Sequence, residues 1–172
     1  RVSRAPVMAR SDFDPCLVTS PCVRREGGRW RMWYVSGYAW DEVDGKARSH
    51  YHIKYAESDD GIHWHRDGRV CIDHRAGERN IARPWVLEDD RTYRMWYAFA
   101  GDQPYRLGYA ESSDGLDWER HDERVGIGLS ESGWDSQAMA YPWVQRDGDR
   151  YLLLYNGNDY GREGFGLAVA SA

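Results

Sequence analysis

Carboxylates, amides and flat aromatic rings collect in a few short stretches of this chain. "RSDFDPCLVTS" carries Asp14, "GYAWDEVDGKARSH" carries Trp40 and Asp41, and "DHRAGERNIAR" ends in Arg83. "GLSESGWDSQAMAY" carries Trp134, Asp135, Gln137 and Tyr141, and "NGNDYGREG" carries Asn156 and Asn158. Together these side chains suit a sugar or another small polar ligand. A ring stacks on the apolar face of a sugar, while carboxylates and amides bind its hydroxyls. Two histidine pairs, His50-x-His52 and His63-x-His65, have the spacing of one strand face and could share an ion. No third ligand stands out beside either pair, so no metal and no cofactor is expected.

These stretches lie between repeated elements. "YAESDDGIHW" (Tyr55 to Trp64) returns as "YAESSDGLDW" (Tyr109 to Trp118). Upstream, Pro21, Pro84 and Pro142 each stand thirteen residues before a tyrosine, Tyr34, Tyr97 and Tyr155. Internal repeats at a spacing of about 60 residues set the architecture. Each copy opens with a short β-prone run ("PCVRR", "PWVLE") and a Gly- or Asp-rich turn. A second, aromatic strand follows ("WRMWYVS", "YRMWYAF", "YLLLYN"), then a third ("HIKYAES", "RLGYAES", "FGLAVAS"). A Ser-x-Asp-Gly turn then leads to a fourth strand in the first two copies. In that turn the Asp accepts backbone N–H bonds, the Gly takes positive φ, and the Trp packs between sheets. The repeated phrase is therefore read as a hairpin staple. No helical period is evident. The expected fold is all-β, a propeller of about three four-stranded antiparallel blades near 15–70, 78–125 and 134–172 within one domain.

The totals narrow the partners. A net charge of -5 over 172 residues argues against nucleic acid. No apolar run reaches the ~20 residues that span a bilayer, so no membrane partner is expected. Three cysteines without metal-type spacing favour a reducing, cytoplasmic setting. Nine Trp and twelve Tyr favour short strands and a surface that stacks on flat ligands.

The order Pro-x-Val, turn, strand ending in Trp-Tyr, then Tyr-Ala-x-Ser-x-Asp-Gly-x-x-Trp resembles the blades of five-bladed propeller glycoside hydrolases, the superfamily of families 32, 43, 62, 68 and 130. The resemblance runs from about Pro15 to Ala172 and implies a carbohydrate-active protein, with hydrolysis of a glycosidic bond as the reaction. A sugar-binding or protein-interaction propeller without turnover is the alternative. Hydrolysis needs an acid and a base or nucleophile across the bond. In families 43 and 62 a Glu commonly sits two residues before the blade-opening Pro. Here those positions are Thr19, Ala82 and Ala140, which leaves Asp14 and Asp135 as the catalytic candidates. Trp40, Asp41, Arg83, Trp134, Gln137, Tyr141, Asn156 and Asn158 are the binding candidates, on the face that carries the longer, more varied loops. Three blades do not close a ring. The ring is expected to be completed by further blades or by a second chain, with "RVSRAPV" lending a fourth strand to the partner's third blade in a homodimer.

Overall fold

The computed structural model describes residues 2–172. Arg1, the first residue of the segment expected to lend a strand, lies outside the described residues. Its regular structure is almost entirely strand and forms three successive antiparallel units. The first contains β1 (Leu17–Glu26), β2 (Arg29–Val43), β3 (Lys46–Ser58) and β4 (Val70–Ile72). The second contains β5 (Glu78–Asp89), β6 (Thr92–Gly101), β7 (Arg106–Ser112) and β8 (Glu119–Arg120). The third contains β9 (Ala140–Asp147), β10 (Arg150–Asn156) and β11 (Phe165–Ser171). A single parallel pair, Tyr51 with Asn80, joins the first unit to the second.

The alternation along the second strand of each unit decides how the sheets stack. Successive side chains of a strand point to opposite faces. Trp33 of β2 goes into a core with Cys22, Ile53, Met95 and Tyr97, between the first and second units. Trp96 of β6 goes into the next core with Leu153 and Tyr155, between the second and third. Met32 and Tyr34 turn the opposite way, under Met8, Val18 and Trp64. A third cluster of small residues, Val35, Ala82, Ala98 and Ala140, lies where the inner strands β1, β5 and β9 approach one another.

The repeated turns staple hairpins as the sequence suggests. The Asp60 carboxylate accepts the N–H groups of Ile62 and His63 at 2.8 Å each, and Asp114 accepts those of Leu116 and Asp117 at 2.8 and 3.0 Å. Gly61 and Gly115 supply φ of 75° and 73°. The second turn also fastens neighbouring units, because the Trp33 indole donates to the Gly115 carbonyl at 2.8 Å.

One expectation is corrected. "GYAWDEVDGKARSH" is not a loop but the continuation of β2 and β3 into a long hairpin arm. Asp44 and Gly45 both have positive φ, 52° and 71°, the two-residue turn whose twist matches paired strands. Trp40 and Asp41 therefore stand on a regular arm, paired with Ser49 and Arg48. Arg79 and Asn80 likewise belong to β5.

Candidate functional site

The three inner strands share one irregularity. The residue before each blade-opening proline, namely Ser20, Arg83 and Tyr141, has positive φ: 50°, 56° and 57°. Each lies at a break in strand register, between Thr19 and Cys22, between Ala82 and Trp85, and opposite the Leu154–Asn156 step. A left-handed residue other than Gly is strained, and a bulge re-aims the side chain it carries. The bulge is thus a repeated device that presents one side chain per unit beside the small-residue cluster.

Arg83 is exposed and makes no hydrogen bond or ion pair among the described residues. Its charge acts on Tyr141, opposing the burial and the Tyr160 neighbour that push that phenol up. Tyr141 stacks on Tyr160 with ring centres 6.2 Å apart, and Tyr160 meets Tyr105 edge-on at 6.0 Å. Tyr105 is hydrogen bonded through its hydroxyl to Tyr51. Burial raises the Tyr51 and Tyr105 phenols, which stay protonated near neutral pH. Beside these rings is a cleft of about 460 Å³, whose walls include Asn80, Asp102, Tyr105, Asp159 and Tyr160. Tyr160 is 63% exposed, and its backbone carbonyl is held by the Asn156 amide at 2.9 Å. The arrangement offers flat faces, phenol hydroxyls and, in Arg83, a cation uncommitted among the described residues. That combination is able to hold a hydroxyl-rich ring.

Of the binding candidates, Arg83, Tyr141 and Asn156 belong to this group. The Asn158 side chain is engaged by backbone groups. It accepts the N–H groups of Gln137 and Ala138 at 2.8 and 3.0 Å and donates to the Gly133 carbonyl. These bonds pin the loop that holds Gln137. Trp134 stacks on Tyr155 at 5.4 Å within the second core. Trp40 is 56% exposed on the hairpin arm, and Asp41 beside it bonds to His50 at 2.9 Å. Tyr160, Tyr105 and Tyr51 are not among the sequence candidates, because nothing local to them shows that rings from three units meet.

The two catalytic candidates are interior groups. Asp14 is 0% exposed; the Tyr34 hydroxyl donates to it at 3.1 Å, and Arg66 and Lys54 form ion pairs with it at 2.8 and 3.7 Å. Asp135 is 4% exposed and accepts the Tyr155 hydroxyl at 2.8 Å. Burial and that bond push the Tyr155 phenol up to about 12. The two pairs are the same pair in different units: a carboxylate seven residues ahead of the blade-opening proline, bonded to the tyrosine thirteen residues after that proline on the second strand. In the second unit Gly77 occupies the carboxylate's place, and Tyr97 bonds to Asp122 instead. The three positions where a Glu would be expected hold exposed Thr19 and buried Ala82 and Ala140.

The histidines divide otherwise than their spacing suggests. His50 turns to Asp41, whereas His52 lies beside Asp73 and His74, which follow β4. Burial holds the His52 imidazole on the neutral side of its ordinary range.

No family model matches the chain. It is 41% identical over 170 residues to the uncharacterised protein Rv1502 of Mycobacterium tuberculosis (strain ATCC 25618 / H37Rv), covering 98% of this chain and 56% of that protein. It is equally similar to the uncharacterised protein MT1551 of strain CDC 1551 / Oshkosh, again over 56% of its length. The chain thus spans little more than half of the curated relatives it matches. Among solved structures, Zg3597, a family 117 glycoside hydrolase of Zobellia galactanivorans, superposes with a TM-score of 0.72 at 17% identity, over 96% of this chain and 56% of that one. A sucrose-6-phosphate hydrolase from Lactobacillus gasseri gives 0.66 at 14% identity, over 92% and 33%. The chain is an all-β protein that shares its fold with propeller-type glycoside hydrolases.

Proposed function

We propose that this protein is carbohydrate-active, and that it holds a sugar at the cleft walled by Tyr105 and Tyr160, with Tyr141 and Arg83 beside it. The observation that carries this reading is Arg83. It is an exposed guanidinium on strained backbone, beside stacked phenol rings, without a partner among the described residues. Strain of this kind persists where a side chain must be presented to something. Hydrolysis of a glycosidic bond is the reaction of the fold's neighbours by name, and it requires two carboxyl groups flanking the bond. Asp14 and Asp135 already serve the scaffold, so in this reading the acid and base are other carboxylates of the whole protein. Sugar binding without turnover is the second reading, favoured by Thr19, Ala82 and Ala140 at the positions expected to hold an acid. A screen of chromogenic glycosides beside a glycan-binding assay separates the two. Arg83→Ala should weaken binding about ten- to hundredfold, the worth of one or more hydrogen bonds to a charged donor, with the far-UV spectrum unchanged. Equal affinity in wild type and variant would remove the cleft from consideration.

We propose further that the three units are part of a ring. The forward face of the third unit repeats the pattern that the first two bury. Leu154 stands where Trp33 and Trp96 stand, and its neighbours Leu167 and Val169 are 59% and 55% exposed. Arg94 and Trp96, counterparts of the Arg31 and Trp33 that hold the second unit's turn, line a groove of about 230 Å³ with Val125, Ile127 and Ala168. Both features fit another sheet unit with an Asp-Gly turn. Relatives in which this chain spans 56% of the length have room for about two such units, which favours blades of the same polypeptide over a second copy.

A further inference from the structure

We propose that His52, Asp73 and His74 form a binding site for a divalent transition ion of the zinc class, at the outer edge of the first unit. One ligand atom from each residue lies within 4.8 Å of the others. His52 Nδ1 is 3.2 Å and His74 Nδ1 is 3.5 Å from the same carboxylate oxygen, Asp73 Oδ1. Donors placed about 2.0–2.2 Å from a tetrahedral zinc are about 3.3–3.5 Å apart. The two measured separations are close to these edges and the third pair of donors is within 4.8 Å, so an ion would enter by drawing the two imidazoles together.

The surroundings favour the ligating form of His74, while His52 Nδ1, which faces the same carboxylate, gives up its proton when an ion binds. His74 Nε2 is 3.0 Å from the Tyr51 carbonyl, an acceptor only, so that nitrogen carries the proton. Its Nδ1 is then an acceptor, which takes the Tyr38 hydroxyl at 3.2 Å and lies 3.5 Å from Asp73 Oδ1. A metal-bound histidine typically donates its other N–H to a carbonyl or carboxylate in this way. Tyr38 covers the site, its ring 4.7 Å from that of His52 and its hydroxyl 3.2 Å from His74 Nδ1. The His52 and His74 side chains are 10% and 13% exposed, whereas Asp73 is 68% exposed. Buried imidazoles thus stand behind a carboxylate open to solvent, which gives an ion a way in. Three protein ligands leave a fourth position for water or the Tyr38 hydroxyl.

The site would join β3, which carries His52, to the segment entering β5. Between them β4 is only three residues long, so a bound ion would fasten a short strand of the first unit. The site includes neither Arg83 nor a residue of the cleft wall and does not depend on the sugar reading.

Titration of the metal-free protein with cobalt chloride, then displacement by zinc chloride, tests the site. One equivalent of cobalt should bind with the visible absorption of a tetrahedral nitrogen–oxygen site. Asp73→Asn and His74→Gln should each weaken binding at least about tenfold, while His63→Gln on the exposed turn leaves it unchanged. Zinc should raise the melting temperature of the wild type and not that of Asp73→Asn, whose exposed position keeps the fold intact. Absence of binding at micromolar ion, or binding that both variants retain, overturns the proposal.

Discussion

Asp14, a catalytic candidate by its chemistry, is enclosed in a network of charges and hydroxyls. Its carboxylate, fully enclosed, faces Lys54, Arg66, Tyr34 and Ser11. Removing one member of a buried charge network leaves the others without compensation, which costs about 3–5 kcal/mol. Asp14→Ala should therefore lower the unfolding free energy by about that amount in urea, because Lys54 and Arg66 would remain buried as unpaired cations. Asp135 answers only to Tyr155 among the described residues, so Asp135→Asn should cost less, about 1–3 kcal/mol for a weakened buried bond. A stable Asp14→Ala protein that had lost turnover would instead restore Asp14 to the catalytic machinery. The recurrence that favours a scaffold role for both carboxylates was present in the sequence. Asp14 and Asp135 stand at the same offset before Pro21 and Pro142 and before Tyr34 and Tyr155, and a group used identically in two repeats belongs to the repeat. Arg83 stands apart for the opposite reason, since Ser20 and Tyr141 hold its equivalent positions and nothing in the repeat requires an arginine. The histidine cluster was not legible, because Asp73 and His74 reach His52 only through the pairing of β3 with β4.

Among the elements, those with local chemistry were the easiest to read. The Ser-x-Asp-Gly turns follow from the residues in them, and their carboxylates lead to a pH prediction. The His63 ring, then the His63 and Ile62 N–H groups, hold the Asp60 carboxyl below its ordinary range. The N–H groups of Asp117 and Leu116 do the same for Asp114. A carboxyl depressed in the folded state stabilises above its unfolded value, near 3.9, and that contribution is lost as pH falls toward the folded value. Stability should thus fall as the solution is acidified below about pH 4. The double variant Asp60→Asn, Asp114→Asn should flatten this acid limb when unfolding is followed by tryptophan fluorescence. An acid limb of unchanged slope would deny the turns that role. The hairpin arm from Gly37 to His50 was harder to see, since a polar, charged stretch looks like loop. What makes it strand is the Asp44–Gly45 turn, which sets the register of the arm only because both residues accept positive φ. The bulges before the prolines were also hidden. Proline restricts the residue ahead of it, yet nothing in the local sequence shows that Ser20, Arg83 and Tyr141 would take the left-handed region.

At the scale of the molecule, stacking is directional, and one end is left open. Each unit offers a forward face to the next: Trp33 is covered by the second unit and Trp96 by the third. The third unit's forward face, with Leu154, Leu167 and Val169, has no sheet over it among the described residues, and β11 is the outermost strand of its sheet. An exposed apolar strand with unpaired backbone groups is a template for association. The 172-residue chain on its own should therefore self-associate through β11 at micromolar concentration, in sedimentation velocity or light scattering. Leu167→Lys with Val169→Lys should suppress this, because charge on an edge strand opposes strand addition. The mode of association discriminates between the two ways of completing a ring. If a second copy supplies the missing strand, the product is a closed dimer that depends on residues 2–7 and does not grow with concentration. If the natural cover is further blades of the same polypeptide, association of this chain is open-ended and indifferent to those residues, and a relative of full length is monomeric. A monodisperse monomer of the 172-residue chain, with β11 protected from hydrogen exchange, would sink both forms of the closure proposal.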